Sequence, residues 1–120
     1  MTVSVLLLGS RSFVGRSCLE YWCEHGFDDL SVTALSSKDL DLVDRSAVDD
    51  FFLNKHFDYV ILSAVNIADV EASLAMFFNV VRNASSYQTF INLGSGAEYD
   101  PVRYAPRMAE HYSDDAFPCK

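Results

Sequence analysis

Hydrophobic and polar positions alternate between two periods along this chain. Residues 3–8 are a nearly continuous apolar run, the length of a strand buried on both faces. Residues 13–25 then place Val14, Cys18 and Trp22 at i, i+4 and i+8, with Leu19 and Cys23 beside them, which predicts a helix. After the turn-like "EHGFDD", residues 31–35 read as a second strand, and "KDLDLVD" as a very short third one. Asp44 is a candidate N-cap for a helix whose apolar face carries Val48, Phe51 and Phe52. Residues 59–65 form the next buried strand, Val70, Leu74, Phe77, Phe78 and Val81 the next helical stripe, and residues 89–93 a final strand.

Continuous apolar strands that alternate with helices predict a doubly wound α/β fold. About five parallel strands, in the order 3-2-1-4-5, carry helices on both faces. In such a sheet ligands gather at the carboxyl ends of the strands. Those ends fall near Gly9–Ser12, Ser36–Lys38, Ser63–Asn66 and Gly94–Glu98.

Composition narrows the partners. With 120 residues, half of them hydrophobic, the chain is sized for one domain with a real core. A net charge of −8 opposes a nucleic-acid surface, which needs clustered Lys and Arg. Cys18, Cys23 and Cys119 have neither disulfide nor metal-site spacing, and His25, His56 and His111 are scattered, so no metal is expected. No apolar run reaches the ~18 residues of a membrane span and no basic leader opens the chain, so the expected setting is the reducing cytoplasm, away from membranes.

The stretch "VSVLLLGSRSFVGRS" carries the first candidate chemistry. Gly9 suits a tight turn after the strand, and Gly15 suits close packing of the following helix. A pyrophosphate would sit at the start of that helix, at Phe13 and Val14, held by free N–H groups and the helix dipole. Ser12 stands where a G-x-x-G-x-x-G pattern has its second glycine; its Cβ would crowd phosphates, while its hydroxyl would bond one. The same residues also suit an ordinary strand-to-helix turn.

Taken together, "GSRSFVG", "LSSKDLDLVDRSAVDDFF", "YVILSAV", "FFNVVRNA" and "FINLGSGAEYDP" resemble, in order and spacing, the N-terminal half of the extended short-chain dehydrogenase/reductases. Within that group the chain looks most like the nucleotide-sugar epimerases, dehydratases and reductases, above all the GDP-fucose synthase group. The resemblance implies one NAD(P)-binding, Rossmann-like domain over residues 1–120, without the family's C-terminal substrate lobe. It also implies a dinucleotide cofactor and a nucleotide-sugar substrate.

Residue by residue, the resemblance assigns Gly9 and Gly15 to the phosphate loop, with Ser12 a departure, and Arg11 to the adenosine phosphate. The end of the second strand, "SSK", offers no carboxylate for a ribose 2′-hydroxyl, whereas Arg11 and Lys38, beside Ser37, suit a 2′-phosphate. NADP is therefore expected ahead of NAD. Asp41 and Leu42 match residues lining the adenine, and Ala64 and Val65 those beneath the nicotinamide ribose. Asn79 matches a helix asparagine that braces the backbone near the end of the 59–65 strand.

For catalysis the resemblance assigns Ser95, four residues before Tyr99, to the serine that bonds the reacting oxygen, and Lys120 to the lysine of Y-x-x-x-K. Ala116 stands where that motif has its tyrosine, and Pro118 interrupts the helix the motif needs. A natural nucleotide- or partner-binding module that turns over no substrate is the alternative. A response-regulator-like domain would want acids after the first strand and a phosphorylatable Asp after a later one, which "LLLGSRS" and "LSAVNIA" lack. The apolar last strand, with an open edge, is expected to pair with another copy, as a homodimer or a self-associating species.

Overall fold

The structure, a computed structural model, describes residues 2–64, 66 and 68–93. Four strands, β1 (Val3–Leu8), β2 (Leu30–Leu35), β3 (Phe57–Leu62) and β4 (Tyr87–Asn92), form one parallel sheet in the order β2-β1-β3-β4. Helices α1 (Phe13–His25), α2 (Arg45–Phe52) and α3 (Val70–Val81) make the crossovers. The sheet is Rossmann-like, as the alternating pattern predicts. The chain steps from β1 to β2 in one direction and from β2 across β1 to β3 in the other. Right-handed crossovers therefore set α1 on one face and α2 with α3 on the opposite face.

Alternation along β1 serves both faces. Leu6 and Leu8 enter the cluster formed with Val48 and Phe52 of α2 and Val80 of α3, while Val5 and Leu7 are buried on the other side. Phe52 is the aromatic centre of that cluster, with ring centroids 6.3 Å from Phe57 and 6.1 Å from Tyr87. The Tyr87 hydroxyl donates to the Val80 carbonyl at 3.0 Å, so the burial that raises its pKa leaves no polar group unmatched.

Each helix begins on a side-chain cap. Ser12, Asp44 and Asp69 accept from the N–H groups of Gly15, Ala47 and Ala72, contacts generally worth about 1 kcal/mol each. The end of α1 is closed by Gly26 at φ +59°, whose N–H returns to Trp22.

The expected short strand in "KDLDLVD" is not formed, and the described sheet has four strands rather than five. Polar side chains divert that segment into turns. Asp39 and Leu40 donate their N–H groups to the Ser36 carbonyl, and Val43 donates to the Asp41 carboxylate at 3.1 Å. Leu42 is nevertheless buried, so this loop seals the core edge beside β1 without entering the ladder.

Among the described residues, no helix is long and apolar enough to cross a membrane.

Candidate functional site

A cavity of about 670 Å³ opens at the carboxyl ends of β1, β2 and β3, where a doubly wound sheet gathers its ligands. The Gly9–Ser12 turn forms one wall. Gly9 adopts φ +87°, and a Cβ there would lie 2.5 Å from the Ala64 nitrogen, so neither the conformation nor the space admits a side chain. A Cβ at Gly15 would collide with the Gly9 carbonyl, and its absence lets α1 start directly over the turn. Within the turn, the Gly9 and Ser10 N–H groups both donate to the Leu35 carbonyl. Those of Arg11, Phe13 and Val14 have no partner among the described residues, as expected where a helix begins. These free donors and the positive end of the α1 dipole suit an anion.

The end of β2 forms a second wall. Ser36 is buried, and its N–H and hydroxyl donate to one Asp39 carboxylate oxygen at 2.8 and 3.1 Å. The Ser36 N–H, then its hydroxyl, and more weakly the Arg11 guanidinium hold the Asp39 carboxyl below its ordinary pKa, against a small opposing effect of desolvation. That carboxylate is committed to the turn. Ser37 and Arg11 line the cavity, and their side chains make no hydrogen bond among the described residues. Leu40, Asp41, Leu42 and Val43 make the floor, and Ala64, Asn66, Ala68, Ala72 and Met76 the side toward α3.

Of the residues singled out in the sequence, Gly9, Arg11, Ser12, Ser37, Asp41, Leu42 and Ala64 line this one cavity. Gly15 packs against the Gly9 carbonyl, and Phe13, 86% exposed, and Val14 are not in the lining. The Lys38 side chain is not in the lining; its N–H donates to the Ser36 hydroxyl at 3.3 Å. Among the described residues, the Asn79 amide donates to the Leu42 and Val43 carbonyls of the floor loop. Val65, Ser95, Ala116 and Lys120 lie outside the described residues.

Sequence reasoning placed Ser36 and Asn66 at ligand-gathering strand ends but gave them no role. The Asn66 side chain accepts from Ala68 N–H at 3.2 Å, and its backbone is clasped by the Ser73 hydroxyl. The visible signal was an asparagine just past a buried strand, where Asx turns form.

The family model described as the NAD dependent epimerase/dehydratase family matches residues 5–117. The chain belongs to that family. Among curated proteins, none matches it. Solved structures show the same fold. A GDP-D-glycero-L-gluco-heptose synthase from Campylobacter jejuni, solved with NADPH, is 23% identical with a TM-score of 0.76 over 96% of this chain and 36% of its own. A GDP-mannoheptose C4 reductase from the same organism, with NADP bound, is 24% identical with a TM-score of 0.75, covering 96% and 37%. A GDP-L-fucose synthetase from Naegleria fowleri bound to NADP is 18% identical with a TM-score of 0.79, covering 97% and 38%. This member of the epimerase/dehydratase family thus spans a little over one third of the length of those proteins.

Proposed function

We propose that this epimerase/dehydratase-family domain binds NADP(H) in the cavity at the carboxyl edge of its sheet and serves a nucleotide-sugar reductase, epimerase or dehydratase. One observation carries the reading: a glycine turn with free N–H groups and a cationic rim, Arg11 beside Ser37, line the same cavity. The turn suits a pyrophosphate. Arg11 and the Ser37 hydroxyl suit a 2′-phosphate, because both can donate to it, while the Asp39 side chain is held by Ser36 and is not in the lining. The apolar floor of Leu40, Leu42 and Val43 suits a flat base. The solved relatives that hold NADP or NADPH support the same cofactor.

The dinucleotide, when bound, supplies a hydride donor or acceptor. The chain's contribution is to fix its phosphates at the turn and its adenosine over the floor. On the same reading Ser95 and Lys120 carry the contacts to the reacting group. A second reading, binding of the dinucleotide without turnover, is favoured by Ala116 at the position where the family motif has its tyrosine. Cys18 and Cys23 form no disulfide among the described residues, in accord with a reducing cytoplasm.

Thermal unfolding with NADP, with NAD and without ligand tests the cofactor reading. NADP at about 100 times its Kd should add ~2.7 kcal/mol, a rise of several degrees. NAD at the same concentration should add less. No shift with either would refute the reading.

A further inference from the structure

The phosphate-facing turn is held by two hydroxyls that lie 51 residues apart in sequence. Ser63, at the carboxyl end of β3, is only 8% exposed, and its Oγ lies 2.8 Å from the Leu8 carbonyl oxygen and 3.0 Å from that of Gly9. It is also 3.0 Å from the Ser12 Oγ. Ser12 Oγ in turn accepts the Gly15 N–H at 3.1 Å and lies 2.8 Å from the Gly9 carbonyl oxygen. Each hydroxyl has one proton. The arrangement that joins the pair runs from Gly15 N–H to Ser12 Oγ, from the Ser12 hydroxyl to Ser63 Oγ, and from the Ser63 hydroxyl to the Leu8 carbonyl. It links the first turn of α1 to the ends of β3 and β1 in one chain of donors.

Every bond in that chain is made within the protein, between the turn, the start of α1 and the ends of β1 and β3. The Ser12 proton goes to Ser63 or to Gly9, so donating it to a phosphate would break one of those bonds. Its Cβ stands where the resemblance has a glycine, and its hydroxyl is held by the Gly9 carbonyl and Ser63.

We infer that Ser63 is a positioning residue that acts through Ser12, the two hydroxyls locking the Gly9–Ser12 turn onto β3 so that the free N–H groups of Arg11, Phe13 and Val14 face the dinucleotide phosphates. The inference rests on the cofactor reading above. A pyrophosphate is common to NADP and NAD, so the lock serves both dinucleotides equally, unlike the cationic rim.

The test is direct titration of the full chain with NADPH and NADH by fluorescence, for the native protein, Ser63→Ala, Ser12→Ala and the double variant, together with the Tm of each. Ser63→Ala should raise both Kd values by the same factor, roughly three- to tenfold, the range one hydrogen bond supports. The double variant should bind no more weakly than Ser12→Ala, because the shared bond is lost once. A lower Tm with unchanged Kd, fold-changes that multiply, or a change for NADPH alone would overturn the inference and leave the cofactor reading standing. A native chain that binds neither dinucleotide would overturn both. Should Ser63→Ala not fold, Ser63→Cys keeps the shape with a weaker donor, and both Kd values should still rise together; unchanged values would again overturn the lock.

Discussion

Asn79 on α3 donates from Nδ2 to the carbonyl oxygen of Leu42 at 2.8 Å, reaching across 37 residues of sequence. The same amide donates to Val43 at 3.1 Å, and Oδ1 accepts from Arg82 at 2.7 Å. Asn83, one turn on, ties Asp49 of α2 to the same helix at 2.9 Å. Where a third strand would have been held by a ladder, one buried side chain, 2% exposed, holds the floor of the cavity. Asn79→Ala should therefore strand two carbonyls and cost about 1–3 kcal/mol. Urea unfolding would show this as a lower midpoint with unchanged slope, and a cost below about 0.5 kcal/mol would mean that water replaces the amide.

The strands and helices of this fold are legible because their apolar periods are long and uninterrupted, as in residues 3–8 and 70–81. The loop at residues 38–44 misleads for a local reason. Leu40 and Leu42 alternate like a strand, but Ser36, Asp39 and Asp41 capture the backbone N–H groups that a ladder would need. The glycine turn was readable from spacing, and Arg11 was assigned by the family resemblance. The target of Asn79 and the pairing of Ser12 with Ser63 were not, since each joins residues far apart in sequence that only the packed sheet brings together.

Arg11 lines the cavity near the Asp39 carboxylate, and its guanidinium makes no hydrogen bond or ion pair among the described residues, so a 2′-phosphate is the acceptor that the cofactor reading supplies. Arg11→Ala should weaken NADPH binding by roughly 10- to 100-fold, the scale of a charge-assisted hydrogen bond. NADH binding should change by less than about threefold, because NADH lacks that group. Titration with both cofactors, repeated at raised salt, separates the effects; equal losses would place Arg11 at the pyrophosphate instead.

Asp39 carries the pH dependence of the β2 rim. Its carboxyl is held below the ordinary value of about 3.9, chiefly by the Ser36 N–H and then by the Ser36 hydroxyl. A carboxylate whose folded pKa is depressed adds stability that is fully present above its unfolded value and is lost as pH falls through the folded one. The Ser36–Asp39 turn should stay closed through neutral and mildly acidic pH and open below the usual aspartate range. The Ser36 amide resonance, followed during acid titration, reports this directly; a midpoint at or above the ordinary value would contradict it.

Two glycines at positive φ separate conformational strain from crowding. Gly26, at φ +59°, has open space where a Cβ would point, with nothing within 4 Å, so Gly26→Ala meets the left-handed penalty alone, about 1–2 kcal/mol. Gly9, at φ +87°, would also drive its Cβ to 2.5 Å from the Ala64 backbone nitrogen. Gly9→Ala should therefore cost more than Gly26→Ala and also disturb the cavity wall. Chemical unfolding of the two variants gives the ranking, and equal losses would mean that the turn yields easily.

The outer edge of β4 has no strand partner among the described residues, and Ile91 and Leu93 on and beyond it are 40% and 42% exposed. An apolar strand edge left open pairs readily with another chain, which is the basis for proposing a homodimer. Two chains of net charge −8 repel each other, so the dimer should tighten as salt screens that repulsion. Ile91→Lys places a charge on the edge strand and should shift the equilibrium toward monomer without a large change in stability. Sedimentation velocity across protein concentration and ionic strength checks both trends, and a native chain that stays monomeric at high concentration and high salt would refute the edge pairing.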